Sequence, residues 1–125
     1  MRVLILAKTK PEYEDMAHEA GDDGDMEPMT KFSAELNAAG VLVSEGALAP
    51  SSQGLRFLSH GADAPTITDG PFTEAKELVA GYWLWQVRSI DEAVEWLRKA
   101  PFPEGVDLEV RPLIDMPDGT SSATD

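Results

Sequence analysis

The sequence contains no cysteine among its 125 residues. This absence excludes a disulfide framework, a thiolate metal site and a cysteine nucleophile together. The start of the chain has a short apolar run, the five residues that follow Arg2. Such a run is too short for a signal peptide or a membrane span, and no small-residue cleavage site follows it. We therefore expect a cytoplasmic protein.

Basic residues are few. The chain has 10 Lys and Arg against 23 Asp and Glu, which gives a formal net charge of −13. A field of this sign repels phosphate backbones and anionic lipid, so we expect direct binding neither to nucleic acid nor to a membrane surface. The apolar fraction of 42% is that of a globular chain. We expect one domain over residues 1–114 and a flexible tail over 115–125.

Hydrophobic patterning predicts four core strands and two helices. Ser89 and Glu92 have the spacing of a capping box at the start of the second helix, and Gly40 is placed to end the first. Two short runs separated by Gly61-Ala62-Asp63 predict a hairpin inserted between the second and third core strands. The predicted core strands are 2–8, 41–45, 78–87 and 106–112, and the predicted helices are 28–39 and 89–100.

This element order predicts an α+β fold of the ferredoxin-like βαββαβ type with a hairpin insertion. In that fold the first and third core strands lie at the centre of the sheet, and both helices cover one face. Strands 2–8 and 78–87 are the two that look apolar on both sides. The two strands that look apolar on both sides are therefore the two that this fold places at the centre of the sheet.

Helices on one face leave the other face of the predicted sheet bare. We expect that face to expose Trp83 or Trp85 together with alternate residues of the first strand. A large apolar patch usually marks an interface, so we expect a homodimer that packs sheet against sheet. The alternative is that one tryptophan is partly exposed and the hairpin folds over the sheet.

The densest local signal is the sequence Asp69-Gly70-Pro71-Phe72. Asp before Gly-Pro predicts a sharp turn, since the carboxylate can bond backbone amides and glycine adopts dihedrals that other residues avoid. One interpretation is structural, with Phe72 in the core. The other places the Asp69 carboxylate at the edge of a cleft, as an acid-base group or a ligand anchor.

With the segments Glu74–Glu77 (EAKE) and Gly81–Leu84 (GYWL), this turn resembles the DGPF branch of the YCII-related proteins. The resemblance covers most of the chain from Pro28 to Pro112 and implies a ferredoxin-like fold and a dimeric α/β barrel. It implies no established general function. A His–Asp pair has been proposed for acid-base chemistry in the wider family, but Met29 stands at the position of that histidine. Ala49 stands where several DGPF relatives also have histidine.

We predict a binding site for a small polar organic molecule, in a protein of the cofactor-free lyase or isomerase kind. No cofactor or metal is expected, since His18 and His60 are far apart in the sequence and look solvated. The predicted catalytic residues are Asp69, Glu45 and Lys76, and the predicted ligand-binding residues are Ser51, Ser52, Phe72 and Tyr82.

A rival hypothesis is a non-catalytic regulatory or interaction module. The DGPF resemblance implies an association with RNA polymerase sigma factors of the extracytoplasmic-function class. The lack of a histidine at the position of Met29 favours this hypothesis over catalysis.

Overall fold

The computed structural model describes residues 1–14 and 27–114, and within them it contains six strands and two α-helices. The predictions for His18 and for the tail 115–125 lie outside the described residues. Short 3-10 turns occupy Pro11–Tyr13 and Ser51–Gln53. The elements are β1 (Arg2–Thr9), α1 (Glu27–Ala38), β2 (Leu42–Ala47), β3 (Leu55–His60), β4 (Asp63–Asp69), β5 (Leu78–Gln86), α2 (Ile90–Lys99) and β6 (Leu108–Pro112).

Four of the strands form one antiparallel sheet in the order β2-β5-β1-β6. The predicted first and third core strands, β1 and β5, lie at its centre, as expected. Strands β3 and β4 form a separate two-stranded sheet, which confirms the predicted hairpin. The chain is thus an α+β protein whose strand order is compatible with a ferredoxin-like fold.

The hydrophobic core lies between the sheet and the two helices. Val3 of β1 is paired in register with Trp85 of β5, and Ile5 with Trp83. Val3, Ile5 and Trp85 are 0–1% exposed and form one cluster with Phe32 of α1 and residues of α2. Burying a side chain of this size contributes roughly 1.5–3 kcal/mol. We call this side of the sheet the helix-covered face.

Both strand tryptophans lie on the helix-covered face. The ring centroid of Phe32 is 5.7 Å from that of Trp83 and 6.4 Å from that of Trp85. The expectation that one of these tryptophans is exposed on the bare face is therefore wrong. The physical reason is that residues two apart in a strand point to the same side, so both follow Ile5 and Val3 toward the helices.

The opposite face of the sheet carries neither tryptophan, but it is also apolar. Its central residues alternate along the strands with those of the core and are partly buried. They are paired across β1 and β5, Leu4 with Leu84 and Leu6 with Tyr82. We call this the open face. The β3–β4 hairpin does not cover it, because every residue from Leu55 to Asp69 is exposed.

The helix ends follow the sequence signals. Gly40 has φ of 76°, the left-handed conformation predicted for it at the end of α1. At the start of α2, Ser89 Oγ accepts a hydrogen bond from the Glu92 N–H at 3.1 Å. The Glu92 carboxylate accepts from the backbone N–H of Arg88 at 2.6 Å, one residue earlier than in the usual capping box. The bond to the Arg88 N–H, and then the Arg88 side chain, lower the pKa of Glu92.

We predict that Glu92→Gln destabilises the fold by roughly 0.5–1 kcal/mol at pH 7. Because the pKa of Glu92 is lowered in the folded protein, its stabilising effect is present above the unfolded-state pKa and is lost as pH falls through the folded-state pKa. Urea unfolding of the two proteins should therefore differ at pH 7, and the difference should disappear as pH falls below the folded-state pKa of Glu92. Glu95→Gln, on the exposed side of the same helix, is the control and should change little at either pH.

Candidate functional site

The Asp69–Phe72 turn packs against the 3-10 turn that begins at Ser51. Ser51 Oγ accepts a hydrogen bond from the Phe72 N–H at 3.1 Å and donates one to Glu14 Oε1 at 2.7 Å. The Ser51 N–H donates to the second oxygen of Glu14 at 2.9 Å. The Gly70–Pro71 peptide bond is cis. Three distant segments of the chain thus meet at Ser51, and we call this contact the Ser51 junction.

Phe72 anchors the junction with its ring. The side chain is buried, and the Arg56 guanidinium lies 4.0 Å from the ring centroid. The Arg56 Nη1 atom is 2.6 Å from Glu74 Oε2. The pKa of Glu74 is lowered, first by a bond to its own backbone N–H and then by Arg56. The structural interpretation of the turn therefore accounts for these contacts.

A cavity of about 470 Å³ lies beside α1 on the helix-covered face of the sheet. Met29 and Ser33 of α1 form one side, and Phe102, which follows α2, forms another. Half of the strand residues in its wall are Ala or Gly, among them Ala7 of β1 and Gly81 of β5. We call this cavity the α1 pocket.

The strand register explains why the α1 pocket is empty of side chains. Along β1 and β5 the paired residues on the helix-covered face are Val3 with Trp85, Ile5 with Trp83, and then Ala7 with Gly81. The first two pairs fill the space beneath the helices. The third pair has one methyl group in total, that of Ala7, because glycine has no side chain. The space beneath the helices is therefore left unfilled at this pair.

Glu45, an exposed residue of β2, supplies a carboxylate to this mostly apolar pocket. It is paired with Trp83 across β2 and β5, and its Oε1 atom accepts a hydrogen bond from Trp83 Nε1 at 2.8 Å. The same oxygen accepts from Ser33 Oγ at 3.1 Å. Among the described residues that line the pocket, Glu45 has the one side chain that is charged at neutral pH. Two donors therefore orient a single anion.

The predicted site residues fall into separate places. Glu45 and Tyr82 line the α1 pocket, although the Tyr82 ring lies toward the open face, with its hydroxyl 3.4 Å from Ser44 Oγ. Ser51 and Phe72 belong to the Ser51 junction. The remaining predicted residues, Asp69, Lys76 and Ser52, are exposed and do not line the pocket.

Ser33, Trp83 and Phe102 are pocket residues that the sequence pattern does not indicate. Ser33 lies in α1 next to the core residue Phe32, and no local motif marks it. The sequence does contain a signal for the pocket. Val3, Ile5 and Ala7 follow one another at a spacing of two along the first strand, so a small residue lies on the same face as two larger ones.

Metal ligands do not cluster in the described part of the chain. Within residues 1–14 and 27–114, no three His, Asp or Glu side chains come together in a way that would hold a metal ion. His60 is exposed as expected, and its Nε2 atom is 2.7 Å from Thr66 Oγ1. None of the described helices has the length and apolar character needed to cross a membrane.

Sequence comparison places the chain among known proteins. The family model of the YCII-related domain matches residues 1–117. The chain belongs to the YCII-related family. An uncharacterised protein of Rhizobium meliloti (strain 1021) is similar to this YCII-related protein, with 32% identity over 94 residues. The aligned region is 74% of this chain and 75% of that relative.

We predict that Gly70→Ala destabilises this YCII-related protein by at least about 2 kcal/mol. A Cβ atom at Gly70 would overlap the backbone carbonyl of Ser51, so the junction would have to separate. Chemical denaturation followed by tryptophan fluorescence measures the loss.

Gly54→Ala is a matched control at the other side of the same carbonyl. A Cβ atom there meets the Ser51 oxygen at an ordinary 3.6 Å, and the backbone of Gly54 is extended. We expect its stability to equal that of the wild type or slightly exceed it. Equal stability of both variants would contradict the packing of the Asp69–Phe72 turn against Ser51.

Proposed function

We propose that this YCII-related protein binds a small organic molecule in the α1 pocket, with Glu45 as its polar anchor. The observation that carries the proposal is the solvent-exposed carboxylate that Trp83 and Ser33 hold at the wall of a mostly apolar cavity. Ligand sites are typically apolar clefts with a few oriented polar groups and volumes of about 300–1,000 Å³. The volume of about 470 Å³ lies within that range.

For the chemistry we propose a cofactor-free lyase or isomerase. Either reaction can proceed by removing a proton from the substrate and returning it, with no oxidant or reductant. Of the three residues predicted to be catalytic, Glu45 is the one in the pocket, so we assign the acid-base or anchoring role to it. Asp69 is assigned to the turn instead, since it ends β4 opposite Leu55.

For the assembly we propose a homodimer formed through the open face, as in the dimeric α/β barrel implied by the DGPF resemblance. The motif Asp69–Phe72 supports membership of that branch. The apolar residues Leu4, Leu6 and Leu84 on a face that the hairpin leaves uncovered support the dimer. A second sheet would remove them from water.

A second candidate function is a non-catalytic interaction module, with an extracytoplasmic-function sigma factor as the partner. The β3–β4 hairpin favours it, because Phe57 and Ile67 are paired across the strands and are 64% and 56% exposed. A two-stranded hairpin with an exposed apolar face is a natural surface for another protein. This surface is not part of the α1 pocket, so the two functions can be tested independently.

The pocket proposal is tested by filling the α1 pocket. Ala7→Leu places three further carbon atoms in it, whereas Ala34→Leu adds the same atoms on the exposed side of α1. In a ligand-observed NMR screen of small organic fragments, we expect binding to the wild type and to Ala34→Leu, and its loss in Ala7→Leu. Circular dichroism confirms that both variants are folded. Fragment binding that survives in Ala7→Leu would place the site elsewhere.

The dimer proposal is tested by sedimentation at micromolar concentration. We expect a species of twice the 13.5 kDa chain mass for the wild type. Leu84→Glu puts a charge at the centre of the open face and should give monomer, because burying an unpaired carboxylate is unfavourable. Ile90→Glu, at the exposed start of α2, is the control and should stay dimeric. A wild type that sediments only as a monomer contradicts the proposal.

A further inference from the structure

We propose that the α1 pocket selects an organic cation, a protonated amine whose ammonium group binds Glu45 beside aromatic rings. The inference rests on the proposed function of the pocket and names the class of its ligand. It depends on three features of the site: the sign of its charge, the second carboxylate oxygen of Glu45, and the aromatic rings that line the pocket.

The charge of the α1 pocket excludes anionic ligands. No Lys, Arg or His side chain belongs to the described residues that line it, and Glu45 is there as a carboxylate acceptor. A ligand carboxylate or phosphate would therefore meet a like charge with no cation to offset it. The formal net charge of −13 acts in the same direction at long range.

The Glu45 carboxylate keeps an oxygen for the ligand. Both hydrogen bonds from Trp83 and Ser33 end on Oε1. The Oε2 atom accepts none from the described part of the chain, so a donor that enters the pocket can bind there. The two existing bonds hold the carboxylate in place before the ligand arrives, which reduces the entropy lost on binding.

Aromatic rings favour a charged donor over a neutral one. Trp83 and Phe102 both line the pocket, with ring centroids 5.8 Å apart and planes inclined at 47°. Because the Trp83 indole N–H donates to Glu45, the carboxylate lies beside the Trp83 ring, and Phe102 lies on that ring in turn. An ammonium group gains a charge-assisted hydrogen bond and an attraction to the rings, whereas a hydroxyl gains a neutral hydrogen bond alone.

Three probes of similar shape separate the possibilities: 2-phenylethylammonium, 2-phenylethanol and 3-phenylpropionate. Each is titrated into the 125-residue protein at pH 7, and the indole ¹⁵N–¹H resonance of Trp83 is followed after assignment with Trp83→Phe. The indole resonance of Trp96 is the internal reference. We expect the ammonium to bind at least about tenfold more tightly than the alcohol, and the carboxylate to bind least.

Glu45→Gln keeps an acceptor for Trp83 and removes the charge. We expect it to weaken binding of the ammonium about tenfold and to leave the alcohol unchanged. Glu35→Gln makes the same change in net charge on α1 outside the pocket and should have no effect. Equal binding of all three probes, or an unchanged ammonium affinity in Glu45→Gln, overturns the amine assignment alone. If all three probes leave the Trp83 resonance in place, the proposed function itself fails.

Discussion

The ring of Phe32 of α1 contacts three tryptophans at the centre of the core. Its ring centroid lies 5.7 Å from that of Trp83, 6.4 Å from that of Trp85 and 6.3 Å from that of Trp96. It therefore joins α1 to the central strand β5 and to α2. Aromatic pairs in such tilted geometries contribute about 0.5–1.5 kcal/mol each beyond the area that they bury. This arrangement exists because β5 turns two tryptophans toward the helices and none toward the open face.

The candidate site is a continuation of the same packing. Trp83 contributes its ring to the core and its N–H to Glu45, so one residue links the stability of the sheet to the position of the pocket carboxylate. The pocket begins where the paired residues of β1 and β5 shrink from Ile5 and Trp83 to Ala7 and Gly81. The core and the cavity thus lie at opposite ends of the same row of paired residues on β1 and β5.

Local patterns in the sequence were enough to predict the strand order, the hairpin, the cap at Ser89 and the left-handed end of α1 at Gly40. The side to which Trp83 and Trp85 point was not predictable in this way. A strand that is apolar on both sides has no alternation to mark its buried face. The pocket was missed for a related reason, since it needs the long-range register that pairs Ala7 with Gly81. The junction of Glu14 with Ser51 likewise joins residues that no short motif connects.

On the helix-covered face, the Trp83 ring contacts Phe32 of α1 and Phe102, and its N–H donates to Glu45. Nuclear Overhauser effects from the Trp83 indole report this placement in solution. We predict cross-peaks from the Trp83 ring to the ring protons of Phe32 and Phe102, and from its Nε1 proton to the side chain of Glu45. Cross-peaks from the methyl groups of Leu84 to Phe32, with none from Trp83, would show that β5 turns its other face toward the helices.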